Sequence, residues 1–127
     1  MKKEVITSNK AALPVGPYSQ AIRAGGFLFI SGQIPLDPES GQVVDGDVAT
    51  QTHRVMQSLG AILKAAGASY EHVVRTTIFL TDLTDFALVN DVYGSYFAAP
   101  APTRATVQVA ALPKGVSVEI DAIAYLA

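Results

Sequence analysis

At 127 residues with no cysteine and a formal net charge of −2, the chain excludes a disulfide framework, a thiolate nucleophile and any cysteine-ligated metal. Its length predicts one domain over residues 1–127, large enough for a core of its own. Half of the residues are hydrophobic and only 16% are charged, against about 25% in a typical soluble domain, so apolar surface is left over and a homo-oligomer is predicted.

Lys2 and Lys3 are the only adjacent basic residues, too few for the electrostatic footprint of a nucleic-acid binder. No apolar run follows them as in a signal peptide, and no stretch approaches the roughly 18–20 apolar residues of a membrane span. A soluble, cytoplasmic protein with no nucleic-acid or membrane partner is expected.

Residues 4–8 read as a short strand, and residues 9–18 as a loop punctuated by Pro14, Gly16 and Pro17. Two strands, 19–24 and 27–31, flank Gly25-Gly26, a pair suited to a two-residue hairpin. The second is apolar on both faces and is predicted to be central; it runs into Ser31-Gly32-Gln33, where Gly32 permits a close backbone approach. Residues 35–46 form a surface loop with a short β segment at Val43-Val44. Asp47 caps a helix whose apolar positions Val48, Thr52, Val55, Leu59, Ile62 and Ala66 recur at steps of four and three, ending at Gly67.

Residues 72–81 form a β-branched strand. A second helix, capped by Thr84 or Asp85, turns Phe86, Val89, Tyr93, Tyr96 and Phe97 inward, with Asn90 on or near the same side. Pro100 and Pro102 stop it, and residues 102–120 alternate strictly on either side of a Pro-Lys-Gly loop. The order β-β-β-α-β-α-β-β predicts an α+β fold, one sheet with both helices on one face and the other face free for association.

Strand period carries the first functional reading. Ala105, Val107 and Val109 share one face, as do Val118, Ile120, Ala122 and Ala124. If both aliphatic faces meet the helices, Arg104, Thr106, Glu119 and Asp121 all project to the opposite side. Arg104 offers a planar fork for a carboxylate, and Glu119 a group to act on water or a substrate proton. The same two residues also suit a structural ion pair or a subunit-interface salt bridge. Tyr18, at a loop-to-strand junction, either touches a ligand or plugs the edge of the core. Asn90 either bonds a neighbouring loop or supports the site. His53 and His72 have no partner at metal-ligand spacing, and no dinucleotide, P-loop or nucleophile-elbow motif occurs.

Gly16-Pro17-Tyr18-Ser19-Gln20-Ala21, Ser31-Gly32-Gln33-Ile34-Pro35, Asn90-Asp91-Val92-Tyr93 and the stretch from Pro102 to Ile120 together resemble the reactive intermediate/imine deaminases, the YjgF or RidA-like family. Ala65-Ala66-Gly67 and the stretch from Thr76 to Leu83 fit as well, so the resemblance runs along essentially the whole chain. It implies a chorismate-mutase-like fold with one mixed six-stranded sheet, and a homotrimer with sites between subunits. It also implies hydrolysis of 2-aminoacrylate and 2-iminopropanoate to 2-keto acid and ammonia, with no cofactor and no metal. On the matching positions, Arg104 grips the substrate carboxylate and Glu119 activates water, while Tyr18 and Gly32 line the site. Thr106 stands where many members carry a cysteine; its hydroxyl can still hydrogen-bond substrate. Ribonuclease and translation-inhibitory roles have also been given to the family. A non-catalytic trimer that binds small 2-keto or amino acids is the alternative expectation.

Overall fold

A computed structural model describes residues 2–127. Six strands and two helices follow in the predicted order: β1 (Glu4–Ile6), β2 (Ala21–Ala24), β3 (Phe27–Gln33), α1 (Val48–Ala65), β4 (Val73–Leu80), α2 (Phe86–Gly94), β5 (Thr103–Gln108) and β6 (Val118–Tyr125). They build one sheet in the order β1-β2-β3-β6-β4-β5, antiparallel throughout except for the parallel edge pair β4–β5. That makes it the mixed six-stranded sheet expected, and the stretch between β5 and β6 carries the chain across β4. The Val43-Val44 segment is reduced to an isolated bridge between Leu36 and Val43.

α1 forms where its sequence dictates. Asp47 accepts a hydrogen bond from Thr50 N–H at 2.9 Å, a cap of about 1 kcal/mol. Val55, Met56, Leu59, Ile62 and Leu63 are buried along the face that crosses β3 and β6, each contributing roughly 1.5–3 kcal/mol. Gly67, at φ +76°, lets the chain turn away beyond the last turn.

α2 packs beside α1 and is shorter than predicted. Asp85 stands at its N-cap, as one of the two expected positions, but its side chain makes no capping hydrogen bond; Asp82 accepts from Thr84 N–H at 2.9 Å and closes a 3₁₀ turn, Leu83–Asp85, that leads into it. Val89, Val92 and Tyr93 are its buried residues, whereas Phe86 is 40% exposed. Tyr96 and Phe97 lie past its end and pack on Tyr70 and Tyr93.

Under the helices the sheet presents Leu28, Ile30, Thr76, Ile78, Leu80, Val118, Ile120 and Ala122, all buried. The opposite face carries Phe27, Phe29 and Tyr125, each about half exposed and in ring contact. Both faces of this sheet therefore carry large apolar residues.

Candidate functional site

Sheet register decides where each candidate residue points. In β6, Val118, Ile120, Ala122 and Ala124 are buried beneath the helices, so Glu119 and Asp121 face the open side. In β5, Arg104 pairs with Thr76 and Thr106 with Ile78, both buried on the helix side. Arg104 and Thr106 therefore share the helix side, and Ala105 and Val107 the open one. This corrects the parity expectation: within one chain Arg104 and Glu119 stand on opposite faces. The aliphatic residues of β5 and β6 do not meet the same layer, because the open face carries apolar residues as well.

Glu119 belongs to a cleft of about 450 Å³ at the end of the sheet where β2 begins, β3 ends and β6 begins. Tyr18, Ser31, Gly32, Ile34 and Pro113 line it together with Glu119. A bulge shapes its floor. Ile30 pairs with Ala122 but Gln33 with Ile120, so Ser31 and Gly32 together oppose the single residue Asp121. The bulge lays Gly32 against the Glu119 side chain. A Cβ at Gly32 would collide with Oε2 and lie 2.9 Å from Cδ, so only glycine leaves room for the carboxylate. Burial first, and then the neighbouring Asp121 carboxylate, push the Glu119 carboxyl above the ordinary glutamate range. Asp121 itself accepts from Thr77 N–H at 3.1 Å. Tyr18, 52% exposed, stands on the rim, and the turn at Pro113 and Lys114 closes the far side.

Arg104 is built differently. Its guanidinium lies 5.1 Å from the centre of the Tyr93 ring and 5.6 Å from that of Phe86, both on α2. Ring faces hold the cation without using up its N–H fork. Tyr93 is fixed in turn by a buried 2.7 Å hydrogen bond between its hydroxyl and Thr76 Oγ1. Asn90, half-buried, lies on α2 between Phe86 and Tyr93. The Thr106 hydroxyl, two residues beyond Arg104, is buried with no hydrogen-bond partner.

The candidate residues thus fall into two groups: Tyr18, Gly32 and Glu119 at the cleft, and Arg104, Thr106 and Asn90 on the side of α2. One half carries a carboxylate with room for a small molecule, and the other an arginine with its fork free. Among the described residues no group of three or more His, Cys, Asp or Glu could hold a metal ion. His53 Nδ1 instead meets the Tyr96 hydroxyl at 2.9 Å, and His72 Nδ1 accepts from Ser69 N–H at 3.0 Å. No helix among the described residues is long and apolar enough to cross a membrane.

Sequence reasoning missed the aromatic platform under Arg104 and the buried amide of Gln20 beside the cleft. Phe86 and Tyr93 were both legible as one helix face, but nothing local tied that face to Arg104. A glutamine entering an otherwise apolar strand was the one signal for Gln20.

The family model described as Endoribonuclease L-PSP matches residues 8–126. Over 122 residues, 96% of this chain and 90% of the relative, the sequence is 49% identical to a 2-iminobutanoate/2-iminopropanoate deaminase of Mus musculus. It is 52% identical over 126 residues to Reactive Intermediate Deaminase A, chloroplastic, of Arabidopsis thaliana, covering 99% of this chain and 67% of the relative. The crystal structure of E. coli TdcF with bound serine is similar at a TM-score of 0.93 and 42% identity, covering 98% of this chain and 99% of that one.

Proposed function

The chain belongs to the Endoribonuclease L-PSP family, which takes in the RidA-like deaminases, and on that premise we propose that it hydrolyses 2-imino acids of the 2-iminopropanoate type to 2-keto acids and ammonia. The observation that carries this reading is Glu119, a partly buried carboxylate held against Gly32 in a cleft sized for a small molecule. Relatives named as 2-iminobutanoate/2-iminopropanoate deaminases and a structural neighbour with bound serine support it.

The chemistry asks little of the protein. Water adds its oxygen to the imine carbon, and its proton passes through Glu119 to the nitrogen. The resulting carbinolamine passes its hydroxyl proton to the amine nitrogen, again through Glu119, and ammonia leaves as the C=O bond forms. Imines already hydrolyse in water, so the protein contributes chiefly by holding substrate and water together, with Glu119 as the proton carrier. The substrate carboxylate needs a cation. In one chain Arg104 faces away from Glu119, so the reading requires Arg104 of a second copy, with Thr106 beside it and Asn90 in support. A homotrimer with three sites between copies meets that need, and the apolar open face of the sheet gives the copies a surface to share. The reading calls for no cofactor and places the protein in the cytoplasm, with a small imino or keto acid as its partner.

Ammonia release from freshly generated 2-iminopropanoate tests the proposal. Release above the uncatalysed rate is expected. Binding without release would replace the enzyme with a carrier of small keto or amino acids. A net charge of −2 without a basic patch argues against RNA as substrate, despite the family's name.

A further inference from the structure

We infer that Gln20 is the positioning residue of the cleft, holding its two walls in register on either side of Glu119; this rests on the reading that the cleft is where the reaction occurs. Gln20 is 2% exposed and stands at the entry to β2. Its side-chain Oε1 accepts from Ser8 N–H at 2.7 Å, and the two N–H groups of its Nε2 are shared among the carbonyls of Ser8 at 3.1 Å, Ala11 at 3.3 Å and Ala12 at 2.9 Å. One amide thus meets the main-chain groups of a segment that has no sheet partner. That segment runs on into Ala12, Leu13 and Val15, which form one wall.

The main chain of the same residue holds the other wall. Gln20 C=O accepts from Ser31 N–H at 2.9 Å, and the Ser31 hydroxyl donates to Ser19 C=O at 2.6 Å, beside the bulge that seats Glu119. The pattern needs a carboxamide, and asparagine carries it on a stem one methylene shorter. Leucine offers neither donor nor acceptor, and an ionised glutamate accepts but cannot donate to three carbonyls.

The test is Gln20→Leu, compared with Leu63→Ala, a core truncation on α1 away from the cleft. Without substrate, hydrogen exchange at residues 8–15 should quicken at least about tenfold in Gln20→Leu while α1 keeps its protection. With substrate, its KM should rise at least about fivefold while kcat stays within about twofold, a split that Leu63→Ala should not share. Wild-type exchange at residues 8–15 would overturn the inference, as would the same KM change in Leu63→Ala. Should Gln20→Leu fail to fold, Gln20→Glu replaces it. Compared with wild type at the same pH, its protection at residues 8–15 should be low at neutral pH and approach the wild-type value as acid restores a donor; a deficit that stays constant with pH would overturn the inference. The exchange readout needs no turnover, so it stands even if no imino acid proves to be a substrate.

Discussion

Arg104 and Glu119 project from opposite faces of one sheet, Arg104 toward α2 and Glu119 into the cleft beside Gly32. A site that needs both is then made by two copies. Arg104→Ala and Glu119→Ala should each be inactive alone, yet regain ammonia release when unfolded and refolded together. With random mixing about a quarter of the interfaces pair an intact arginine with an intact glutamate. Mixing that restores nothing would place both groups in one chain's site, or remove one of them from the reaction.

Glu119 also sets a pH dependence. Burial and Asp121 raise its carboxyl above the ordinary glutamate value of 4.5, so the folded chain binds that proton more tightly than the unfolded one. The stability this proton confers is fully present below the unfolded value and lost as pH rises through the raised folded value. Glu119→Gln should therefore melt higher than wild type at neutral pH, with the difference closing in acid. Turnover should move the other way. It should fall by about 10²–10⁴-fold in Glu119→Gln, and in wild type it should decline on acidification sooner than for an ordinary glutamate. Melting curves and rate profiles over the same pH range check both.

Gly32→Ala should leave the fold intact and displace the Glu119 side chain, because the added methyl would sit where the carboxylate lies. A loss of at least about tenfold in kcat is expected. In the double variant with Glu119→Gln the two losses should not add, since both remove the same positioned group. Additive losses would mean that Gly32 acts by another route.

The rings of Phe86 and Tyr93 make a testable platform. Phe86→Ala should weaken carboxylate binding by about 1 kcal/mol, read as a rise in KM of several-fold. Arg104→Lys should lose far more, because an ammonium cannot supply the paired fork. If Arg104→Lys keeps wild-type KM, bidentate recognition is ruled out.

Much of this fold was legible because its signals are local. The steps of four and three along α1, the Asp47 cap and the Gly25-Gly26 turn each depend on neighbours in sequence. Tyr18, Gly32 and Glu119 could likewise be brought together from motifs. The side on which Arg104 lies could not. Alternation in β5 gives a period of two, but a period does not name a face when both faces carry apolar residues, as Phe29 and Ile123 on one side and Ile30 and Ala122 on the other make plain. An arginine on the helix side is accommodated there by its place on an edge strand and by two rings from α2 that receive it. The bulge at Ser31 and Gly32 was equally hidden, since one extra residue in a ladder leaves no mark on composition.

The connection β4–α2–β5 gives the two halves of the site different histories. Arg104, its platform on α2 and Thr76, to which Tyr93 is tied, all come from one unbroken run of chain from β4 to β5. The cleft joins Gly32 near one end of the chain to Glu119 near the other, so it can close only once distant segments meet. By sequence separation alone the arginine half should form before the glutamate half. Tyr93→Phe should mainly slow folding, whereas Gln20→Leu should mainly speed unfolding, a contrast that stopped-flow kinetics would read directly.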